Sequence, residues 1–233
     1  MNKGDSAIFL KMKEQETEIQ KLKLCNQTLS ALYNNVRGFK HDFSNFIQAL
    51  NGYAQLNDMA GIKGMVSAVM KECCKVNNVE CFYQKNLENP AICCIIANKY
   101  SLAAEEKIKM NIEIGGNLKE ISNSQTYEIC RVLGILLDNA IEAARDSIEK
   151  FINVNIQDDR KNRRKMIIIE NSYHNKEVDL GQIFELGYSS KKMEKEEHGI
   201  GLWNIRQILS QNQNLNLFTS KGDLFKQQLE IIL

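Results

Sequence analysis

The chain has 233 residues, 43% of them hydrophobic, and sets 30 basic against 29 acidic side chains for a formal net charge of +1. So even a balance excludes a global field that would select nucleic acid or an anionic membrane as partner, and the length allows one large domain or two small ones with a substantial core. No apolar run approaches the roughly 18–20 residues of a membrane span and no charged-then-apolar leader opens the chain, which predicts a soluble chain in the reducing cytosol. The seven cysteines form no C-x-x-C pair and read as small buried hydrophobes.

From the amino terminus, Ile8, Met12, Gln15, Ile19, Leu22, Asn26, Leu29, Tyr33 and Val36 recur at alternating spacings of four and three. That is a heptad seam, with Gln15 and Asn26 as polar interruptions of the kind that fix register and strand number. A two-stranded coiled coil predicts a homodimer; one long helix packed on its own domain is the other reading of the same seam. Phe39, Phe43, Phe46, Ile47, Leu50 and Ala54 carry the helix onward without a breaker. At about 100° per residue they share one arc, with His41, Asn45, Gln48 and Gly52 on the opposite face. Asn57-Asp58-Met59-Ala60-Gly61 reads as a turn, and Ile62, Met65, Val66, Val69, Met70 and Cys73 as a second amphipathic helix. Two such hairpins predict a dimeric four-helix bundle.

Composition shifts between Asn86 and Pro90, the one proline. Asn89 suits an N-cap and Pro90 a first helical position, predicting a helix from Pro90 to about Lys107. A strand over Met110–Ile114 ends at Gly115-Gly116. A helix over about Ser124–Arg145 and strands near Ile152–Gln157 and Lys165–Glu170 follow. A glycine-bearing loop runs from Asn171 to Gly201, then a helix over Leu202–Leu209 and strands near Leu215–Thr219 and Phe225–Ile232. Runs of helix and antiparallel strand, without strict β-α-β alternation, predict an α+β sandwich with helices on one face of a mixed sheet. The basic run Arg160 to Lys165 reads as a solvated hairpin tip, since no aromatic residue interleaves it for nucleic acid.

Polar groups that interrupt apolar segments carry the candidate chemistry. Asp138-Asn139 ends the run Leu133-Gly134-Ile135-Leu136-Leu137, where a carboxylate and a carboxamide are desolvated unless something binds them. One side-chain oxygen from Asn139 suffices for Mg2+, which keeps waters and phosphates in its shell. Asn171-Ser172 ends the apolar strand Met166 to Glu170. His198-Gly199-Ile200-Gly201-Leu202 sets two glycines before a helix, where backbone amides can approach a phosphate closely. Upstream, His41 stands with Asp42 and Asn45 on a polar helix face. Imidazole titrates near neutral pH and is a usable nucleophile. A neighbouring carboxylate can orient the ring and take up the charge that develops as nitrogen attacks phosphorus. Taken alone, such a histidine is an ordinary surface residue.

The order of these pieces resembles the ATP-binding domain of the GHKL group, which includes the histidine kinases. By that resemblance Asn139 is the Mg2+-binding residue of the N box. Glu170-Asn171-Ser172 stands where these kinases carry D-x-G-x-G, with Asn171 in place of the Asp that contacts adenine. Phe184 to Lys191 is similar to the F box, Lys191 to Glu197 is the lid over ATP, and Gly199 and Gly201 are the second glycine box, with Lys191, His198 and Leu202 beside the nucleotide. Ile135 takes the place of the Glu that activates water in the ATPases of the group, which favours phosphoryl transfer to a protein group over hydrolysis. His41-Asp42-x-x-Asn45 resembles the histidine-kinase H box: His41 as phosphoacceptor, Asp42 aiding forward transfer, Asn45 positioning water for the reverse reaction. The form of these boxes is similar to the accessory gene regulator C type of peptide-pheromone kinase. That type implies a membrane sensor upstream, quorum sensing, and a response regulator that commonly carries a LytTR domain; citrate and dicarboxylate sensor kinases share the N-A-I-E-A form. The implied organisation is a signalling coiled coil over 1–36, a dimerisation and phosphotransfer hairpin over 37–88, and a GHKL domain over 89–233. A phosphotransfer protein with a degenerate nucleotide domain, or a GHKL ATPase or scaffold with an inert His41, are the competing readings.

Overall fold

The computed structural model describes residues 3–73, 88–174, 178–188 and 199–233, and the chain divides into two compact units, Met1–Asn77 and Asn78–Leu233. The expected lid, Lys191 and His198 lie outside the described residues. Among those described, no helix is long and apolar enough to cross a membrane.

The first unit is a helical hairpin. Helix α1 (Lys3–Gln55) is unbroken over 53 residues, so the heptad seam and the His41 stretch form one rod, about 80 Å long at 1.5 Å per residue. It stops where Asn57 takes a left-handed φ of 54° and the Asp58 amide donates back to the Tyr53 carbonyl at 2.9 Å, a common helix C-terminus. Helix α2 (Met59–Cys73) starts earlier than its apolar pattern implies. Asp58 Oδ1 accepts from the Gly61 amide at 2.9 Å and so caps the helix, which makes Met59, Ala60 and Gly61 helical rather than turn. A Cβ on Gly61 would collide with the Tyr53 ring. Along α1, Ile19, Leu22, Leu29, Tyr33, Val36, Phe39, Phe43 and Ile47 are all exposed, from 46% for Ile47 to 71% for Phe39.

The second unit is a mixed sheet with helices on one face, as the pattern of elements implies. Helix α3 (Pro90–Glu105) is capped by Asn89, whose Oδ1 accepts from the Ile92 amide at 3.2 Å. It ends two residues before the expected limit because Lys107 turns to a φ of 60° and the Ile108 amide closes on the Ala103 carbonyl at 2.8 Å. Strand β1 (Lys109–Ile114) leads to α4 (Asn123–Arg145), which opens on a reciprocal Ser122–Gln125 capping box. Then come β2 (Phe151–Asp159), β3 (Arg164–Asn171), α5 (Gly201–Ser210), β4 (Leu215–Lys221) and β5 (Phe225–Ile232). The strand order is β1-β2-β3-β5-β4; β1 runs parallel to β2 and the other neighbours are antiparallel.

Strict alternation decides which side chains face the helices. Ile152, Val154 and Ile156 of β2, Ile167 and Ile169 of β3, and Leu229 and Ile231 of β5 are buried against Ile92 and Ile96 of α3 and a stripe on α4 that includes Ile129, Leu133, Leu136 and Leu137. Each such aliphatic side chain stabilises the fold by about 1.5–3 kcal/mol. The basic run between β2 and β3 is a solvated tip over residues 160–163 and departs from that expectation only at its β3 end. Lys165 is 1% exposed, because alternation turns it inward, and its Nζ meets Asp158 at 3.0 Å and Glu120 at 3.2 Å. Arg164 pairs with Asp159 at 2.9 Å and Glu230 at 3.0 Å. Most of this positive charge is neutralised within the domain.

Candidate active site

The residues expected to carry chemistry fall in two places, one in each unit. On α1 the side chains of His41 and Asp42 are 73% and 83% exposed. Asp42 Oδ1 and Asn45 Nδ2 both lie 3.3 Å from His41 Nδ1. Asn45 reaches the ring from one helical turn on, and Asp42 reaches it round the edge of the same face. The two neighbours favour opposite tautomers. A proton on Nδ1 satisfies Asp42 and leaves the lone pair on the outward Nε2, whereas a bare Nδ1 accepts from Asn45. The His41–Asp42 contact is therefore the arrangement that prepares Nε2 for attack on an electrophile.

In the second unit the candidate site lies where α4 meets the start of α5 and Gly199 just before it. Among the described α-helices of this unit, α3 and α4 start on side-chain caps and α5 does not: Ile200 occupies its N-cap position and makes no such bond. The first amides of α5 are left available to an anion, with the helix dipole in their favour. Gly201 stands against α4. A Cβ there would fall 3.1 Å from Ile135 Cγ2 and 3.7 Å from Asn139 Oδ1. Asn139 Nδ2 is buried with no hydrogen-bond partner. An orphaned amide donor beside an uncapped helix start is what phosphate oxygens would satisfy, and turned end for end the same side chain offers a cation its oxygen.

The described residues on either side of 189–198 are held together by glycine chemistry. Gly199 has a φ of +98° and packs so closely that a Cβ would stand 2.6 Å from the Tyr188 carbonyl oxygen. The Gly187 amide, itself at a φ of 79°, donates to the Gly199 carbonyl at 3.3 Å. Glu185 pairs with Arg206 of α5 at 2.6 Å. The residues flanking 189–198 on either side are thus tied together.

At the sheet end of the site, Asn171 is 1% exposed and its Nδ2 donates to the Ser172 carbonyl at 2.8 Å. The Ser172 hydroxyl is engaged internally, 2.8 Å from Ser147 Oγ and 3.2 Å from the Phe151 amide, so its part is to hold the end of β3 against the α4–β2 turn. The Leu202 side chain packs against the core, which leaves its backbone amide as the group that can face a ligand. His174 is exposed. Asp138 departs from the expected desolvated carboxylate: its side chain is 58% exposed and ion-paired at 2.5 Å with Lys99 of α3. Lys99 was not singled out by any motif, nor were Gln227 and Thr219, whose Nε2 and Oγ1 are buried and unpartnered. Gln227 has a legible signal, a polar residue in register with the core positions Leu229 and Ile231. Burial pushes the Cys130 thiol up, aided by the neighbouring Cys94, which keeps it protonated and unreactive. No group of three or more metal-binding side chains occurs among the described residues.

Several known proteins resemble this chain. The family model described as a GHKL domain matches residues 125–232. The sensor protein CitS of Bacillus subtilis is 26% identical over 211 residues, covering 88% of this chain and 37% of that protein. The sensor histidine kinase DpiB of Escherichia coli is 26% identical over 182 residues, covering 76% of this chain and 32% of that one. The chain therefore spans about a third of the length of the curated relatives it matches. Among solved structures, the catalytic domain of histidine kinase ThkA aligns with a TM-score of 0.44 and 20% identity, over 59% of this chain and 90% of that one. The family match and the sensor-kinase relatives thus liken the C-terminal part of the chain, over residues 125–232, to a GHKL domain.

Proposed function

We propose that this chain is the kinase core of a two-component sensor, in which His41 takes the γ-phosphoryl group of ATP and passes it to an aspartate of a response regulator. The observation that carries the reading is one chain that joins a GHKL domain to an exposed imidazole held at Nδ1 by Asp42, with Nε2 free. His41 Nε2 attacks the γ-phosphorus, a P–N bond forms, and the bond to the β-phosphate oxygen breaks to release ADP. Asp42 holds the Nδ1 proton and offsets the positive charge that develops on the ring. Asn45 favours the other tautomer and is assigned to the reverse, water-dependent step at the regulator.

In the second unit the uncapped α5 amides with Gly199 and Gly201 hold phosphate oxygens, and Asn171 Oδ1 accepts from the adenine amino group. Asn139 fits a Mg2+ ligand, because its Nδ2 has no partner to hold it and the amide can turn end for end to present its oxygen. When bound, Mg2+ neutralises charge on the transferring phosphoryl group. Ile135, beside Gly201, offers no base for water and favours transfer over hydrolysis. Lys191 and His198 are assigned to the nucleotide by motif alone.

The apolar side chains exposed along α1 support a homodimer through a coiled coil and a four-helix bundle, since a face of this kind is buried by association. The form of the motifs supports the accessory gene regulator C type: a peptide quorum sensor with a membrane sensor before residue 1, a cytoplasmic kinase core and a LytTR-class response regulator. The test is incubation with γ-labelled ATP and Mg2+. Acid-labile, base-stable label is expected on the wild type and lost in His41→Gln. Equal labelling of both proteins refutes the assignment of His41. Failure of the wild type to bind ATP points instead to a phosphotransfer protein with a degenerate nucleotide domain.

A further inference from the structure

Gln227 is out of place in an aliphatic core. Alternation puts it on the same face of β5 as Leu229 and Ile231, and it is 2% exposed. Its Nε2 is buried without a hydrogen-bond partner, and so is Oγ1 of Thr219, its directly paired neighbour on β4. Unpaired buried polar atoms destabilise a fold, and native proteins hold few of them. Two side by side on one face call for a ligand.

Asn171 completes the group. Gln227 pairs across the sheet with Ile169 of β3, and Asn171 is the next residue of β3 on that face, at a diagonal spacing of about 7–8 Å that amide side chains can span. The bond from Asn171 Nδ2 to the Ser172 carbonyl leaves Oδ1 as the group on offer, an acceptor. Farther along, the same face is aliphatic at Ile167, Leu229 and Ile231 as far as Lys165, whose charge is already paired with Asp158 and Glu120. The polar cluster is therefore confined to the end of the sheet where α4 stops and Ser147 meets Ser172.

We propose that Gln227, backed by Thr219, reads the Watson–Crick edge of the nucleotide base together with Asn171, and so selects adenine over 6-oxopurines. This inference rests on the second unit being the ATP site. Adenine presents a donor at its 6-amino group and an acceptor at N1, the pattern that proteins read on an unpaired base. Asn171 Oδ1 accepts from the first and Gln227 Nε2 donates to the second. A 6-oxopurine reverses both, placing a carbonyl against Oδ1 and an N1–H against Nε2–H. Asn171 cannot turn its amide to suit without abandoning the Ser172 carbonyl. The Thr219 hydroxyl rotates to donate or accept and adds a contact to the base edge or to a water on it.

The experiment is displacement of trinitrophenyl-ATP from the full chain by ATP and by inosine triphosphate, whose base carries the 6-oxo group and N1–H. Wild type is expected to favour ATP by about 100-fold. Gln227→Met, of similar length but with no donor, is expected to lower ATP affinity about tenfold and bring the ratio toward unity. Thr219→Val is expected to lower ATP affinity by about threefold, and decides the matter if Gln227→Met fails to fold by circular dichroism. A folded Gln227→Met protein with unchanged ATP affinity and unchanged nucleotide ratio overturns this inference and leaves the kinase assignment standing. A wild type that binds both nucleotides equally does the same. A wild type that binds neither overturns both.

Discussion

Replacing Gly199 by alanine isolates what the backbone before α5 does for nucleotide binding. The φ of +98° at this position is one that alanine adopts only with strain of about 1–3 kcal/mol. The added Cβ would also meet the Tyr188 carbonyl oxygen at 2.6 Å and the Gly187 carbonyl carbon at 2.7 Å. Both are main-chain atoms, which cannot swing aside as the end of a side chain can. Relief of the clash separates Gly187 from Gly199 and breaks the 3.3 Å hydrogen bond between them, a further loss of about 1 kcal/mol. Together these come to about 2–4 kcal/mol. None of the atoms involved belongs to the aliphatic core, so the loop shifts while the sheet and its helices stay folded. At 1.4 kcal/mol per factor of ten, the affinity for ATP with Mg2+ should fall about 30- to 700-fold by titration calorimetry. In the free protein the shifted segment gives up only the hydrogen bond, about 1 kcal/mol, so the melting temperature should fall by about 2–4 °C. Gly222→Ala is the control: its φ is not positive and its Cβ meets nothing within 4 Å. Wild-type affinity in Gly199→Ala would refute the claim that this close approach builds the phosphate cradle.

Lys165→Met should lower stability by up to about 3 kcal/mol in thermal melts, since it leaves Asp158 without its main partner, and adding Asp158→Asn should restore part of the loss. The hydrogen bond from Lys165 holds the Asp158 carboxyl below the usual carboxylate range. The unfolded chain therefore takes up this proton first as pH falls, and the stability that Asp158 contributes is present above about pH 4 and lost below it. Urea midpoints measured from pH 6 to 3 should accordingly fall less steeply in Lys165→Met than in wild type. Ser122→Ala removes the cap of α4, whose Oγ accepts from the Gln125 amide at 3.3 Å; it should cost about 1 kcal/mol in chemical denaturation while ATP affinity stays unchanged, because Asn139 lies toward the other end of that helix.

Local signals were legible because their causes are local. Asn89 and Pro90 mark the start of α3 because a cap and a proline act within one turn. Strand alternation in β2 and β3 follows from a period of two. The errors also have local names. Lys107 in the left-handed region stopped α3 early, and the Asp58 cap made helix out of what reads as a turn. Asn139, Asn171, Gly199 and Gly201 could be picked out as polar groups or glycines that interrupt apolar segments, each at odds with its surroundings unless a ligand is bound.

The sequence by itself determined the elements, the layering of helices on one face of a sheet and the residue types of both sites, since periodicity, caps and glycines carry that information within a few residues. Only the tertiary structure decided what those residues meet. Asp138 is a surface ion pair rather than a buried ligand because Lys99, far back in the chain, lies beside it on α3. Ser172 braces the end of β3 because Ser147 and Phe151 arrive there from the α4–β2 turn. Lys165 is buried because Glu120 and Asp158 neutralise it from two other segments. Gln227 becomes a candidate reader of the base only because the order β3-β5-β4 sets it between Thr219 and the strand that carries Asn171. Contacts between distant segments depend on how elements pair, and no local pattern encodes that pairing.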